Sequence, residues 1–358
     1  MDATIVDGDV PYPPNSGKRL RSLNLVLPLA RRHRITYIAR CSSKEEGDIA
    51  ATFLRDQNIE PIMVEAPLPA KTGPAFYGRL AANIVSSAPY SVQSHHSNAM
   101  RSAVAAHAAG RSVDLWQVEW FGYLYCVAGI AGPVVLQAHN IESVIWQRYA
   151  ETEPSSLKRA YVREQWRKML AFERRSFASV SRIVAVSEQD AGVGRRLYGE
   201  VPFGCIDNGV DLAFYSAGRA DPNSRQILFL GALDWRPNQD AIELLLSEIF
   251  PAVRLRVPDA TLAIVGRSPS PVLAERARAT EGVSRTGRAT IPVAKRDDGR
   301  PAEDRGRLEV EDHRGAGRAF TCGIDGCRSG RSAVGPWARL RPCRKPSRHG
   351  RCDRGATR

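Results

Sequence analysis

The stretch from Gln226 to Asp240, QILFLGALDWRPNQD, constrains the chain more than any other. An apolar run, Ile227 to Leu230, stops at Gly231, and a short polar loop follows. Ile242, Leu245, Leu246 and Ile249 then recur at helical spacing. Asn238 is the expected N-cap, and Asp240 and Glu243 place negative charge in the first turn. Strand, glycine turn and helix in that order open a parallel α/β unit. The free N–H groups at the start of such a helix are a place for a phosphate. The unit begins about two thirds of the way along a chain of 358 residues, so a complete domain is expected before it.

The preceding residues alternate in the same manner. Ala3–Val6 is a short candidate strand. Pro11–Arg21 is a proline-stiffened loop ending in Gly17, and Leu20, Leu23, Leu27 and Ala30 follow at helical spacing. Ile35–Ala39 and Pro61–Val64 read as strands around a helix at Glu45–Asp56. An alanine-rich helix over Ser97–Ala109 leads to strands at Val113–Val118 and Val134–Ala138. A long helical region, Ser156–Ser179, precedes a strand at Ile183–Val186 and a helix at Glu188–Tyr198. Such alternation predicts a parallel sheet covered on both faces. Ile206-Asp-Asn-Gly-Val-Asp211 is a turn between two domain-sized halves. Beyond it, Thr261–Val265 is a second strand ending in glycine, at Gly266.

Composition excludes several classes. No apolar run approaches the ~20 residues that cross a bilayer, and the first residues lack the basic start and apolar core of a signal peptide. A cytoplasmic protein is the default expectation. The net charge is +13, but from Arg285 onward 17 arginines and 2 lysines face 9 acidic residues, a net +10. The first 284 residues thus carry only +3, and the basicity belongs to the tail. Nucleic acid is therefore not an expected partner of the body. Cys41, Cys126 and Cys205 are scattered through the body and are expected to pack as small apolar residues. Cys322, Cys327, Cys343 and Cys352 lie in the tail at spacings that fit no zinc template. No metal ligands are assigned.

Two strand ends carry polar residues where an open parallel sheet binds ligands. One is Gln137-Ala-His-Asn-Ile-Glu142; the other is Val186-Ser-Glu188. A lone histidine is more often structural than catalytic, but His139 ends an apolar strand beside Asn140 and Glu142. The Pro11–Arg21 loop, rich in Gly and Lys/Arg before a helix, reads equally as an anion contact or as a mere turn.

In order and spacing, Pro11–Arg21, His139-Asn140, Val186-Ser-Glu188, Asn208-Gly-Val-Asp211, Phe229–Ala241 and Ile264-Val-Gly266 resemble the retaining glycosyltransferases of family 4. The pattern is most similar to bacterial sugar transferases of polysaccharide biosynthesis. The resemblance implies a GT-B fold, with two Rossmann-like domains facing a cleft, at 1–210 and 211–288. It further implies a nucleotide-sugar donor on the second domain and a glycan or lipid-linked acceptor against the first. A lipid-linked acceptor would bring peripheral association with the inner face of the plasma membrane. The donor is a substrate, and no cofactor or metal is implied. By the same resemblance, His139 would contact the transferred sugar and act as the catalytic residue. Gly17 would let the N-terminal loop approach the donor phosphates. Gly231 and Arg236 would lie beside the diphosphate, where a cation offsets the charge that grows on the leaving group. Gly266 would line the base pocket. The rival readings are another GT-B enzyme, such as a nucleotide-sugar epimerase, and a non-catalytic scaffold or nucleic-acid binder working through the tail.

The pattern breaks after Gly282-Val-Ser-Arg-Thr-Gly-Arg288. Residues 289–358 lose their apolar periodicity, arginine and glycine dominate, and the family's glycine-rich, glutamate-bearing donor loop is missing, leaving the second domain incomplete. A functional Arg/Gly-rich tail, an ordinary disordered tail and a shift of reading frame are the three readings. The third makes a checkable claim. If Asp297–Gly306 were encoded GAC GAC GGG CGG CCT GCG GAA GAT CGA GGC, the same DNA read one base later would give Thr-Thr-Gly-Gly-Leu-Arg-Lys-Ile-Glu, which resembles the missing loop. That reading predicts little or no turnover by the polypeptide as it stands.

Overall fold

The computed structural model describes residues 1–199, 201–209, 223–266 and 269–286. Val210, Asp211, the end of the Gly282–Arg288 segment, the four tail cysteines and the whole 289–358 tail, including Asp297–Gly306, lie outside the described residues.

The chain builds two α/β units, each on a parallel sheet. The first runs β1 (Asp2–Asp7), α1 (Gly17–Ala30), β2 (Arg34–Cys41), α2 (Lys44–Asp56), β3 (Ile59–Glu65), α3 (Pro74–Asn83), the single turn α4 (Tyr90–Gln93), α5 (Asn98–Gly110) and β4 (Leu115–Val118). After a 3-10 segment at Phe121–Cys126 come β5 (Val134–Ala138), α6 (Glu142–Thr152), α7 (Ser156–Ala178), β6 (Arg182–Ala185), α8 (Glu188–Tyr198) and β7 (Phe203–Cys205). Its seven strands lie in the order β3-β2-β1-β4-β5-β6-β7. Every neighbouring pair is parallel.

This order follows from the sequence pattern. Strands β1, β2 and β6 are almost continuously buried, as a sheet covered on both faces requires. Tyr37, Trp116, Leu136 and Phe177 are essentially inaccessible, each worth about 1.5–3 kcal/mol of transfer free energy. The chain steps outward from β1 to β3 and then returns to place β4 on the other side of β1. The strand order therefore reverses at β1 and β4, where open α/β sheets leave a crevice at their carboxyl ends.

The second unit contains β8 (Gln226–Leu230), α9 (Arg236–Leu244), α10 (Phe250–Arg254), β9 (Thr261–Val265), α11 (Pro271–Ala279) and β10 (Val283–Thr286). Its sheet order is β10-β9-β8, again parallel. Two expectations change here. Helix α9 starts at Arg236 with Trp235 as an N-cap that makes no side-chain bond, so Asn238 is not the cap. Its side chain instead donates to the Ala232 carbonyl at 2.9 Å, and Gln239 donates to Leu233 at 3.0 Å. Pro237, which needs no N–H partner, makes the earlier start favourable. A π-helical turn at Leu245–Ile249 then inserts extra rotation between α9 and α10. Ile242, Leu246 and Phe250 therefore face the core, while Ile249 is 43% exposed. Cys41 and Cys126 are buried as expected, whereas Cys205 is only half-buried.

Candidate functional site

Three adjacent strands end in ionisable side chains. Asp7 closes β1, Glu119 follows β4 and His139 follows β5. Neighbouring strands are about 4.8 Å apart, so these residues form a row along the carboxyl edge of the sheet.

Glu119, 1% exposed, is the hub of the row. One carboxylate oxygen accepts from Ser22 Oγ at 2.5 Å and lies 3.1 Å from His139 Nε2. The other accepts from Gln117 Nε2 at 2.6 Å. Burial alone raises this carboxyl. The hydrogen bond and charge of His139, with Lys18 and Ser22, outweigh it and hold the group at about 2. An ionised carboxylate has no proton to give, so Nε2 is the donor in this bond.

Lys18, in the first turn of α1, pairs with Asp7, whose other oxygen accepts from Tyr37 at 2.7 Å. Burial pushes the Asp7 carboxyl up against the pull of Lys18. Arg19 forks onto Asp9 at 2.9 and 2.5 Å and reaches Glu46 at 2.9 Å. Arg21 crosses to Asn208 Oδ1 at 2.8 Å and to the Ile206 carbonyl at 2.6 Å, tying α1 to the turn after β7. Helix α1 has Ser16 as its N-cap and no acid in its first turn. Its positive end therefore lies beside the row without an acid in its own first turn to offset it.

Glu142 opens α6, three residues after His139. Burial, and secondarily the charge of Glu173, push its carboxyl up to about 7 against a bond from Trp120. Glu173 of α7 takes the backbone N–H groups of Glu142 and Ser143 at 2.8 and 3.1 Å, so a carboxylate from another helix caps α6. At the other expected strand end, Ser187 is the N-cap of α8 and accepts from the Asp190 N–H.

The four residues expected at the donor behave differently from one another. A side chain at Gly17 would meet nothing within 4 Å, so packing does not demand glycine there. At Gly266 a Cβ would lie 1.8 Å from the Gly231 carbonyl oxygen, and at Gly231 it would lie 2.7 Å from Asn238 Nδ2. The two strand ends thus converge on each other, with Gly231 N–H bonded to Val265 O at 3.0 Å. Arg236 begins α9. Its guanidinium stands 4.6 Å over the Tyr149 ring and 3.7 Å from Glu153, both on or beside α6 of the first unit.

Sequence reasoning missed Glu119, Asp7, Lys18 and Ser22. An acid directly after the apolar β4 was the available signal for Glu119. Gly8 was also missed: a Cβ there would lie 2.1 Å from the Tyr123 ring.

Residues 224–296 match the family model Glycosyl transferases group 1. That match covers β8 to β10 and stops one residue before Asp297. Among curated proteins, none matches. The chain is similar to a putative UDP-N-acetylglucosamine 2-epimerase from Listeria monocytogenes, at 14% identity over 79% of this chain and 67% of that one, TM-score 0.45. A ugt transferase from Siraitia grosvenorii in complex with UDP is similar at 12% identity over 76% and 66%, TM-score 0.41. An Arabidopsis thaliana UGT complexed with UDP-L-rhamnose is similar at 10% identity over 80% and 69%, TM-score 0.42. The chain spans about two thirds of the length of these proteins.

Proposed function

We propose that the chain derives from a glycosyltransferase of GT-B architecture that moves a sugar from a nucleotide-sugar donor to a glycan or lipid-linked acceptor, with turnover impaired in the polypeptide as it stands. The observation that carries this reading is the group 1 match over residues 224–296. It falls on a unit whose paired strands end in Gly231 and Gly266 beside the start of α9. The motifs resembling family 4 add retention and a role in bacterial polysaccharide synthesis. A lipid-linked acceptor would bring the reaction to the inner face of the plasma membrane.

In the proposed reaction the bond from the anomeric carbon to the leaving phosphate oxygen breaks. A bond to the acceptor oxygen forms, and the acceptor proton leaves with the nucleoside diphosphate. Gly17 and the positive end of α1 would receive the donor phosphates, with Gly231 and Arg236 on the opposite side and Gly266 at the base. His139, fixed by Glu119, would hydrogen-bond a hydroxyl of the transferred sugar as charge develops at the anomeric carbon. No cofactor enters the reaction. One observation favours a second reading of the stereochemistry. An imidazole backed by a buried carboxylate is also the arrangement of a general base, which would activate the acceptor hydroxyl for inversion.

The test is transfer from a panel of nucleotide sugars by the protein with its frame restored by one base before codon 297, with the anomeric proton coupling of the product read by NMR. Retention supports the family 4 reading; inversion assigns His139 as base; an altered donor sugar without any acceptor makes the chain an epimerase and overturns the proposal.

A further inference from the structure

A cavity of about 340 Å³ opens beside the row of ionisable residues, between the ends of β2 and β3 and the segment from α3 to the start of α5. Its lining includes Arg40, Ala66, Arg79, Tyr90, His96 and Ser97. Arg40, the next-to-last residue of β2, is only 6% exposed. Buried arginines are normally paired with a carboxylate, yet Arg40 binds only neutral acceptors. These are the Ala66 carbonyl, the His95 carbonyl and Tyr123 Oη, the last two at 3.2 Å. Among the described residues no ion pair includes it, and its second terminal nitrogen makes no described hydrogen bond.

Arg79 repeats the pattern. It donates to Tyr90 Oη at 3.4 Å and to the Ala70 carbonyl at 2.5 Å, with no described carboxylate partner. On the far side, Ser97 caps the 13-residue helix α5, which has no acid in its first turn, so another positive helix end faces the same space. The local field is positive. Burial lowers the pKa of His95, and Arg40, Lys71 and Lys18 lower it further against a bond to the Ser91 carbonyl. Tyr123, which accepts from Arg40, lies against Gly8 directly after Asp7. One aromatic ring therefore separates the cavity from the row that ends in His139.

We infer that this cavity binds a phosphoryl group of the acceptor, held by Arg40 and Arg79 at the start of α5. The inference rests on the glycosyltransferase reading and adds to it that the acceptor is a phosphorylated saccharide or a lipid-linked phosphate. A planar guanidinium with free donors on a buried, uncompensated charge suits a tetrahedral dianion, which would neutralise it and take its remaining hydrogen bonds. A neutral glycan would leave the charge of Arg40 unpaired.

The test uses the full chain and two variants, Arg40→Gln and Arg79→Gln. Each is titrated with inorganic pyrophosphate and, separately, with phosphatidylcholine vesicles carrying undecaprenyl phosphate. Thermal unfolding is followed in parallel. Arg79 is half-buried and makes only two hydrogen bonds, so its variant is the one expected to fold if Arg40→Gln does not. Each variant is expected to bind about 10- to 100-fold more weakly than the wild type, the loss that follows from one charge-assisted hydrogen bond. Loss in both arms assigns the phosphoryl group alone; loss in the vesicle arm only assigns a lipid headgroup. A folded Arg79→Gln that binds both probes as well as the wild type overturns the inference, as does a wild type that binds neither. Nucleotide-sugar binding is measured on the same proteins and reports on the donor reading independently, since Arg79→Gln leaves it unchanged if the two sites are separate.

Discussion

Glu119 and Glu142 flank His139 in sequence and in space, and burial treats them oppositely because their neighbours differ. Glu119 has three hydrogen-bond donors and is held at about 2 instead of 4.5. Its contribution to stability is therefore present above pH 4.5 and is lost as the pH falls toward 2. Glu142 faces a second carboxylate and is pushed from 4.5 up to about 7. Its contribution is present below pH 4.5 and is lost as the pH rises through 7. Each shift corresponds to about 3 kcal/mol, so these two groups together favour stability most at about pH 4.5, where the two contributions meet. Urea unfolding across pH should show this, and Glu142→Gln should abolish the decline on the alkaline side. An unchanged slope between about pH 5 and pH 8 in that variant would show that Glu142 is not the titrating group. His139 was visible in the sequence because it ends an apolar run. Its partner carries only the signal of an acid after an apolar strand, and of the groups that keep Glu119 ionised, His139 first, Lys18 and Ser22 come from a helix about a hundred residues earlier.

The glycines and helix starts show how far element-level patterns reach. Strand periodicity located the three parallel-sheet neighbours that carry the site, and the boundaries of β5 and α8 were read to the residue. Helix α6 was not anticipated, because Glu173, some thirty residues downstream, caps it and no local capping residue marks its start. The π-helical turn was equally hidden, since Ile249 keeps helical spacing on paper while Phe250 takes its place in the core. The two kinds of site glycine make opposite predictions. Gly266→Ala drives a methyl group onto the Gly231 carbonyl at 1.8 Å and is expected to destabilise the second unit by about 3 kcal/mol. Gly17→Ala meets open space, so its thermal stability should match the wild type while nucleotide-sugar binding falls. A Gly17→Ala protein that keeps full binding would reduce Gly17 to an ordinary turn residue.

At the scale of the molecule, the first unit is built on a seven-stranded sheet, and the second has three described strands. Leu228 and Leu230, on one face of β8, are 40% and 48% exposed. Parallel sheets are ordinarily covered on both faces, so β8 lacks part of its cover among the described residues. The family match stops at residue 296, and the one-base-shifted reading of the donor loop begins at Asp297. The end of the match, together with the loss of apolar periodicity after Arg288, supports the proposal that a change of reading frame removed the second wall of the donor site. What the sequence could not convey is where the cation of the first wall sits. Arg236 packs on Tyr149 and sits 3.7 Å from Glu153 instead of standing free in a pocket.

The most direct measurement of the central claim is a side-by-side titration of nucleotide sugars, by calorimetry, against this polypeptide and the product of the same gene with the frame restored by one base before codon 297. The account predicts that the restored protein binds one nucleotide sugar at least about ten-fold more tightly, a gain of roughly 1.4 kcal/mol, and that it transfers the sugar while the present chain does not. Equal binding and efficient transfer by the present chain, or no binding by either protein, would contradict it.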